Sequence, residues 1–208
     1  MKKLTPIALL MLLATGCKRE VDLSKEIPGT YSLVSQEVQQ GTKTNTYRDL
    51  RQLKIYTPTH YMYTQMNPSD SSYAFAFGTY ETDGDTLTEH LIYSASDSSF
   101  DDQPDSYKLA IQITPEGYTQ VIKDFVIEGQ KSTLTEYYNR KDTMESPLDG
   151  IWKEQASYLV SGNDTVRNQR TQYKAYYDGY FMFGSSSMDG FGKRQTNMGY
   201  GTFVKVND

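Results

Sequence analysis

Cysteine occurs once in the 208 residues, at Cys17, and histidine twice, at His60 and His90. A single thiol excludes an intrachain disulfide, and one Cys with two His is too few for a His/Cys metal cluster. Acidic residues outnumber basic ones 26 to 21, and no run of Lys and Arg is present to neutralise successive phosphates, so nucleic acid is not an expected partner. Long Ala/Leu/Glu/Lys stretches with a 3.6-residue period are missing, which removes helical bundles. The parts for catalysis are also few. Glu89 and His90 are neighbours in a strand-like run and would face opposite ways, while His60 lies in a turn around Pro58. The chain reads as non-enzymatic, with no cofactor and no metal.

The one sustained apolar run is Ile7 to Leu13, too short to span a bilayer permanently. It follows Lys2 and Lys3 and precedes Ala14-Thr15-Gly16-Cys17, the layout of an export signal with a small-residue cleavage site. Because the only Cys follows the small residues directly, the site resembles a bacterial lipoprotein box. That resemblance implies removal of residues 1–16, acylation of Cys17 as the mature first residue, and a membrane as partner. The mature chain is more acidic than its precursor, since both lysines leave. Each buried acyl methylene contributes about 0.8 kcal/mol, so a multiply acylated Cys holds a domain stably on a membrane where one chain would not. Residues 17–27 are charged and aperiodic and read as a tether, similar to the post-cysteine segments of surface-carried Bacteroidota lipoproteins. The expected location is the bacterial outer membrane, with exposure at the cell surface open.

What the sequence has in quantity is tyrosine, 18 in all, crowded with Thr into short alternating runs. Three of these runs recur in order about 120 residues later. GTYSLVSQ from Gly29 matches GIWKEQAS from Gly150, QLKIYTPTHYMY from Gln52 matches QYKAYYDGYFMF from Gln172, and FGTY from Phe77 matches YGTF from Tyr200. The chain is thus a duplication, with a first unit over 28–140, a polar linker over 141–147 and an incomplete second unit over 148–208. Alternation and turn residues predict eight strands in the first unit, near 30–38, 51–57, 60–66, 73–81, 86–94, 107–114, 118–125 and 131–140. Gly84, Gly117 and Gly129 would supply positive φ in their turns. Eight short antiparallel strands without a helix to cover an edge are best accommodated by closure into a barrel. The second unit, ending after its fourth strand, would be a half barrel with an unpaired edge, expected to be a fragment, to pair with another chain, or to fold poorly.

Gly29-Thr30-Tyr31 and Gly150-Ile151-Trp152 resemble the Gly-x-Trp that opens the first strand of lipocalins, and Glu136 to Arg140, EYYNR, resembles their last strand. The fold implied is an all-β, eight-stranded up-and-down lipocalin-like barrel, similar to lipocalin-like domains of Bacteroidota lipoproteins. The resemblance implies that Arg140 lies over Tyr31 and plugs the closed end; Trp152 has no such Arg. In strand 51–57 Leu53 and Ile55 alternate with Gln52 and Lys54, and in strand 107–114 Leu109, Ile111 and Ile113 alternate with polar residues, so one face is apolar and the other wet. Leu33, Leu53, Ile55, Tyr61, Tyr63, Phe75, Phe77, Leu109, Ile111 and Ile113 are candidates to line an interior cavity, although core packing explains each singly. For the strand from Tyr73 to Glu81 the inward face stays open, since Ala74, Ala76 and Gly78 alternate with Phe75 and Phe77. Asp97, Asp101, Asp102 and Asp105 share one loop and could hold Ca²⁺, but a solvated loop is the simpler reading. The function expected is binding of a small, mainly apolar molecule in the first barrel. The alternatives are a surface module that holds a protein or glycan through the barrel loops and, last, a barrel enzyme.

Overall fold

The computed structural model describes residues 22–96, 105–127 and 129–204. The expected signal segment 1–16, Cys17, and Asp97, Asp101 and Asp102 lie outside the described residues. Among the described residues one helical turn, α1 (Leu23–Glu26), precedes fifteen strands. The first nine are β1 (Gly29–Gln40), β2 (Lys43–Tyr47), β3 (Arg51–Tyr56), β4 (His60–Asn67), β5 (Ser72–Asp83), β6 (Thr86–Ser96), β7 (Ser106–Thr114), β8 (Gly117–Ile127) and β9 (Gln130–Arg140). They form one antiparallel sheet, and β9 pairs back onto β1 from Tyr31↔Arg140 to Gln39↔Thr133. Eight strands, β1 and β3 to β9, therefore close an up-and-down barrel. The eight expected strands are all present. The ninth, β2, is an addition that pairs with the far half of β1, from Gln36↔Tyr47 to Gln40↔Lys43.

Closure needs curvature, and three register shifts supply it: at Leu33/Ser35 on β1, Phe77/Gly78 between β5 and β6, and Ile122/Phe125 between β8 and β9. Gly84 and Gly129 turn with positive φ, as expected, but Gly117 does not. Its requirement is close approach: a Cβ there would sit 2.2 Å from the Tyr138 carbonyl oxygen.

The second unit begins with β10 (Gly150–Lys153) and a separate hairpin of β11 (Tyr158–Ser161) and β12 (Asp164–Arg167). β13 (Arg170–Tyr177), β14 (Tyr180–Met188) and β15 (Arg194–Thr202) follow, and β10-β13-β14-β15 form a four-stranded antiparallel sheet. This sheet does not stand apart from the first unit. It packs on the outside of the barrel, burying Tyr173, Ala175 and Met182 against Leu53, Ile55, Met62, Phe75, Phe77 and Ala95. The residues in contact are equivalent in the duplication: Leu53 matches Tyr173, Ile55 matches Ala175, and Met62 matches Met182. The two units thus meet through the same face, the one that is outer in the barrel. Polar bonds fix the seam: Thr30 donates its N–H to Asp178 Oδ2 at 3.0 Å and its hydroxyl to the Tyr177 carbonyl at 3.1 Å, and Tyr93 and Ser186 share a hydrogen bond of 2.5 Å.

Candidate functional site: a polar-floored cavity in the barrel

The barrel interior has two halves. The closed end is filled by tyrosine: Tyr31, Tyr56, Tyr61, Tyr118 and Tyr138 are each at most 2% exposed. Edge-on and stacked pairs join them, with Tyr31 4.7 Å from Tyr118 and Tyr118 4.7 Å from Tyr138 between centroids. Leu23 of α1 and Ile27 pack beneath. Arg140 places its guanidinium carbon 5.7 Å from the Tyr31 ring centroid and donates to the carbonyls of Glu26 (3.1 Å) and Pro28 (2.8 Å). Gly29 leaves room for it, since a Cβ would lie 3.1 Å from the guanidinium. Tyr31 donates its hydroxyl to the Ile27 carbonyl at 2.9 Å, and burial pushes its pKa up to about 12, so it stays a donor.

In the second unit the equivalent residues do something else. Trp152 is 54% exposed and donates its indole N–H to the Leu148 carbonyl at 3.0 Å. Gly150 and Trp152 begin a sheet edge that, among the described residues, pairs only with β13 and closes no barrel. With no described strand on the other side of β10, the indole covers no barrel floor there.

Above the tyrosine layer the barrel holds a cavity of about 210 Å³. Its floor is polar. Gln52, Lys54, Glu89, Gln120 and Glu136 are each 6% exposed or less and all line it. They form one hydrogen-bonded chain: Gln52 Nε2 donates to the Tyr138 hydroxyl (2.6 Å), which donates to Glu136 Oε2 (3.0 Å), which also accepts from Gln120 Nε2. Gln120 Oε1 accepts from Lys54 Nζ at 3.3 Å, and Lys54 pairs with Glu89 Oε1 at 2.7 Å, where the Tyr56 hydroxyl also donates at 2.5 Å. Four tyrosine rings surround the ammonium, those of Tyr56, Tyr61, Tyr63 and Tyr138 at 5.1, 5.6, 6.0 and 5.9 Å. Gln52 Oε1 is buried without a hydrogen-bond partner.

Burial raises the Glu136 carboxyl above the usual range, against the opposing pull of Lys54 and of the Tyr138 hydroxyl. Burial likewise pushes Tyr107 up to about 12, with the Glu89 charge adding to it. The walls are mixed: Ile122, Phe125, Ile127 and Leu134 on β8 and β9, with Ala74, Ser94 and Ser96 on β5 and β6 opposite. Arg194 of β15 also lines the cavity, so the second unit reaches its rim.

The candidate lining residues divide three ways. Tyr63 lines the cavity, while Leu33, Tyr61, Leu109, Ile111 and Ile113 belong to the packed core around it. Leu53, Ile55 and Phe77 face the other way, into the seam with the second sheet; Phe75 packs in that seam too and borders the cavity from its strand. The reason for the inversion is that the outer face of β3 to β5 is covered by protein. The apolar residues serve that contact, and the polar ones, Gln52 and Lys54, turn inward. The open question on β5 resolves with Ala74 facing the cavity.

Sequence reasoning missed the whole floor, although one signal was present. Gln-x-Lys-x-Tyr recurs at 52–56 and 172–176, in phase with the tyrosines of the closed end. His60 stacks on Phe77 at 5.6 Å and His90 lies 3.5 Å from Glu81, both away from the cavity. Among the described residues no group of His, Cys, Asp and Glu could hold a metal ion.

No family model matches the chain, and no curated protein matches it. Among solved structures it is similar to an uncharacterised protein of Bacteroides eggerthii, 15% identical, with a TM-score of 0.34 over 53% of this chain and 99% of the other. It is also similar to an uncharacterised protein of Saccharomyces cerevisiae, 10% identical, with a TM-score of 0.43 over 82% of this chain and 84% of the other.

Proposed function

We propose that this chain is a lipocalin-like lipoprotein, exported and held on the bacterial outer membrane through acylated Cys17, whose first barrel binds a small molecule. The observation that carries the reading is the cavity of about 210 Å³, closed below by the tyrosine layer and lined by both polar and apolar side chains. A filled barrel would have left nothing to bind. This volume is below the roughly 300–1,000 Å³ of sites for drug-sized ligands and above the ~150 Å³ that accepts benzene, so the ligand is small. The polar floor changes the expected chemistry from mainly apolar to amphipathic: a polar head below and an apolar body against Ile122, Phe125 and Leu134. Binding is preferred to catalysis because both carboxylates already accept hydrogen bonds from the wall, and neither described His enters the cavity.

Native mass spectrometry of protein purified from its own membrane tests this. The expected spectrum carries acyl mass at Cys17 and a small adduct lost on mild activation. A Cys17→Ser variant is expected in the soluble fraction. Persistent membrane association of that variant removes the anchor, and an adduct-free barrel that takes up no small probe removes the binding reading.

A further inference from the structure

We infer that the head group this barrel accepts is a compact cation bearing several N–H donors, a primary ammonium above all, seated between Glu136, Glu89 and Gln52. The inference deepens the binding reading and rests on it. The first argument is the donor and acceptor balance of the floor. The donor groups of these side chains each make a bond within the wall already: Gln52 Nε2 on Tyr138, Gln120 Nε2 and the Tyr138 hydroxyl on Glu136, the Tyr56 hydroxyl on Glu89, and Lys54 on Glu89 and Gln120. Acceptors remain. Gln52 Oε1 is buried with no partner, and the hydrogen bonds to each carboxylate converge on one oxygen, Oε1 of Glu89 and Oε2 of Glu136. A ligand that completes this floor must bring donors, because a buried acceptor left unpaired disfavours the bound state.

Charge points the same way. Two carboxylates and one ammonium share a space removed from water, where charges interact far more strongly than in bulk. An anionic head would meet two like charges and a lysine already paired. An ammonium offers three donors and a positive charge to set against the second carboxylate. The wall of Ile122, Phe125 and Leu134 then takes a short apolar tail.

Titration calorimetry of the full chain with hexylamine, hexanol and hexanoate distinguishes the head groups at constant tail. Hexylamine is expected to bind at least about tenfold more tightly than hexanol, with hexanoate weakest. Glu136→Gln and Gln52→Met are each expected to weaken hexylamine by about tenfold and to weaken hexanol by less. Thermal melts identify a variant that has not folded, in which case the other carries the test. Hexanol or hexanoate binding as tightly as hexylamine, the latter by way of Arg194 at the rim, overturns the head-group assignment while the binding reading stands. Hexylamine affinity unchanged in a folded variant overturns the placement. No binding by any of the three overturns both.

Discussion

Lys54 is 2% exposed, and the nearest opposite charge is Glu89 at 2.7 Å. Taking both ions out of water costs several kcal/mol each, so the pair is tolerable only complete. Glu89→Gln would leave the ammonium buried among tyrosine rings without its counter-charge, and is expected to lower unfolding free energy by about 3–5 kcal/mol in urea titrations. Glu136 should respond with the opposite sign. Its carboxyl is raised by burial, with Lys54 from β3, Glu89 from β6, Tyr63 from β4, Tyr107 from β7, Tyr118 from β8 and Tyr138 from its own strand around it. A carboxyl raised in the folded state contributes stability below its unfolded pKa, and that contribution is lost as pH rises through the folded value. Glu136→Gln should therefore match the parent in mild acid and equal or exceed it at neutral pH. Urea midpoints measured from about pH 4 to about pH 8 check the divergence; a variant less stable than the parent at neutral pH would show that the ionised carboxylate stabilises the floor.

At the scale of elements, strand positions were legible and strand orientation was not. Alternation places a strand and divides its residues into two sets, but which set faces inward depends on what lies against the other side. For β7 the apolar set, Leu109, Ile111 and Ile113, faces the core because the outer face meets water. For β3 a second sheet covers the outer face, so Leu53 and Ile55 point out and Lys54 points in. The duplication announced that a second sheet existed; the face it would take was invisible in sequence because it depends on contacts between residues about 120 apart. The bulges were hidden for a similar reason: one extra residue leaves the composition of a strand unchanged. Gly184 on β14 marks a close approach of the two sheets, where a Cβ would lie 2.2 Å from the Phe75 ring. Gly184→Val is expected to destabilise the seam by about 1–3 kcal/mol or more, since the ring is 1% exposed and has nowhere to go. Limited proteolysis should then cut within 141–147 and degrade the second sheet while 28–140 persists. Cleavage no faster than in the parent would mean that the ring can move aside.

For the whole molecule, the consequence of packing equivalent faces together is that each unit presents what the other needs. The barrel brings Leu53, Ile55, Met62, Phe75 and Phe77, and the sheet brings the residues that the duplication places at the first three of those positions. Without the sheet, these side chains would form a contiguous apolar patch of the kind that monomers rarely expose. A chain stopping at residue 147 is therefore expected to retain its closed barrel, which pairs β1 with β9 inside the first unit, but not to stay monomeric. Because the contact is between equivalent faces, a second barrel fits where the sheet lay, and the expected product is a twofold dimer through β3 to β5. Sedimentation of the shortened chain should show dimer or larger species, and Phe75→Ser with Phe77→Thr should return it to monomer with the barrel intact by far-ultraviolet circular dichroism. A shortened chain that stays monomeric at high concentration, with the melting temperature of the parent, would mean that this seam contributes little and that the inward turn of Lys54 has a cause within the barrel itself.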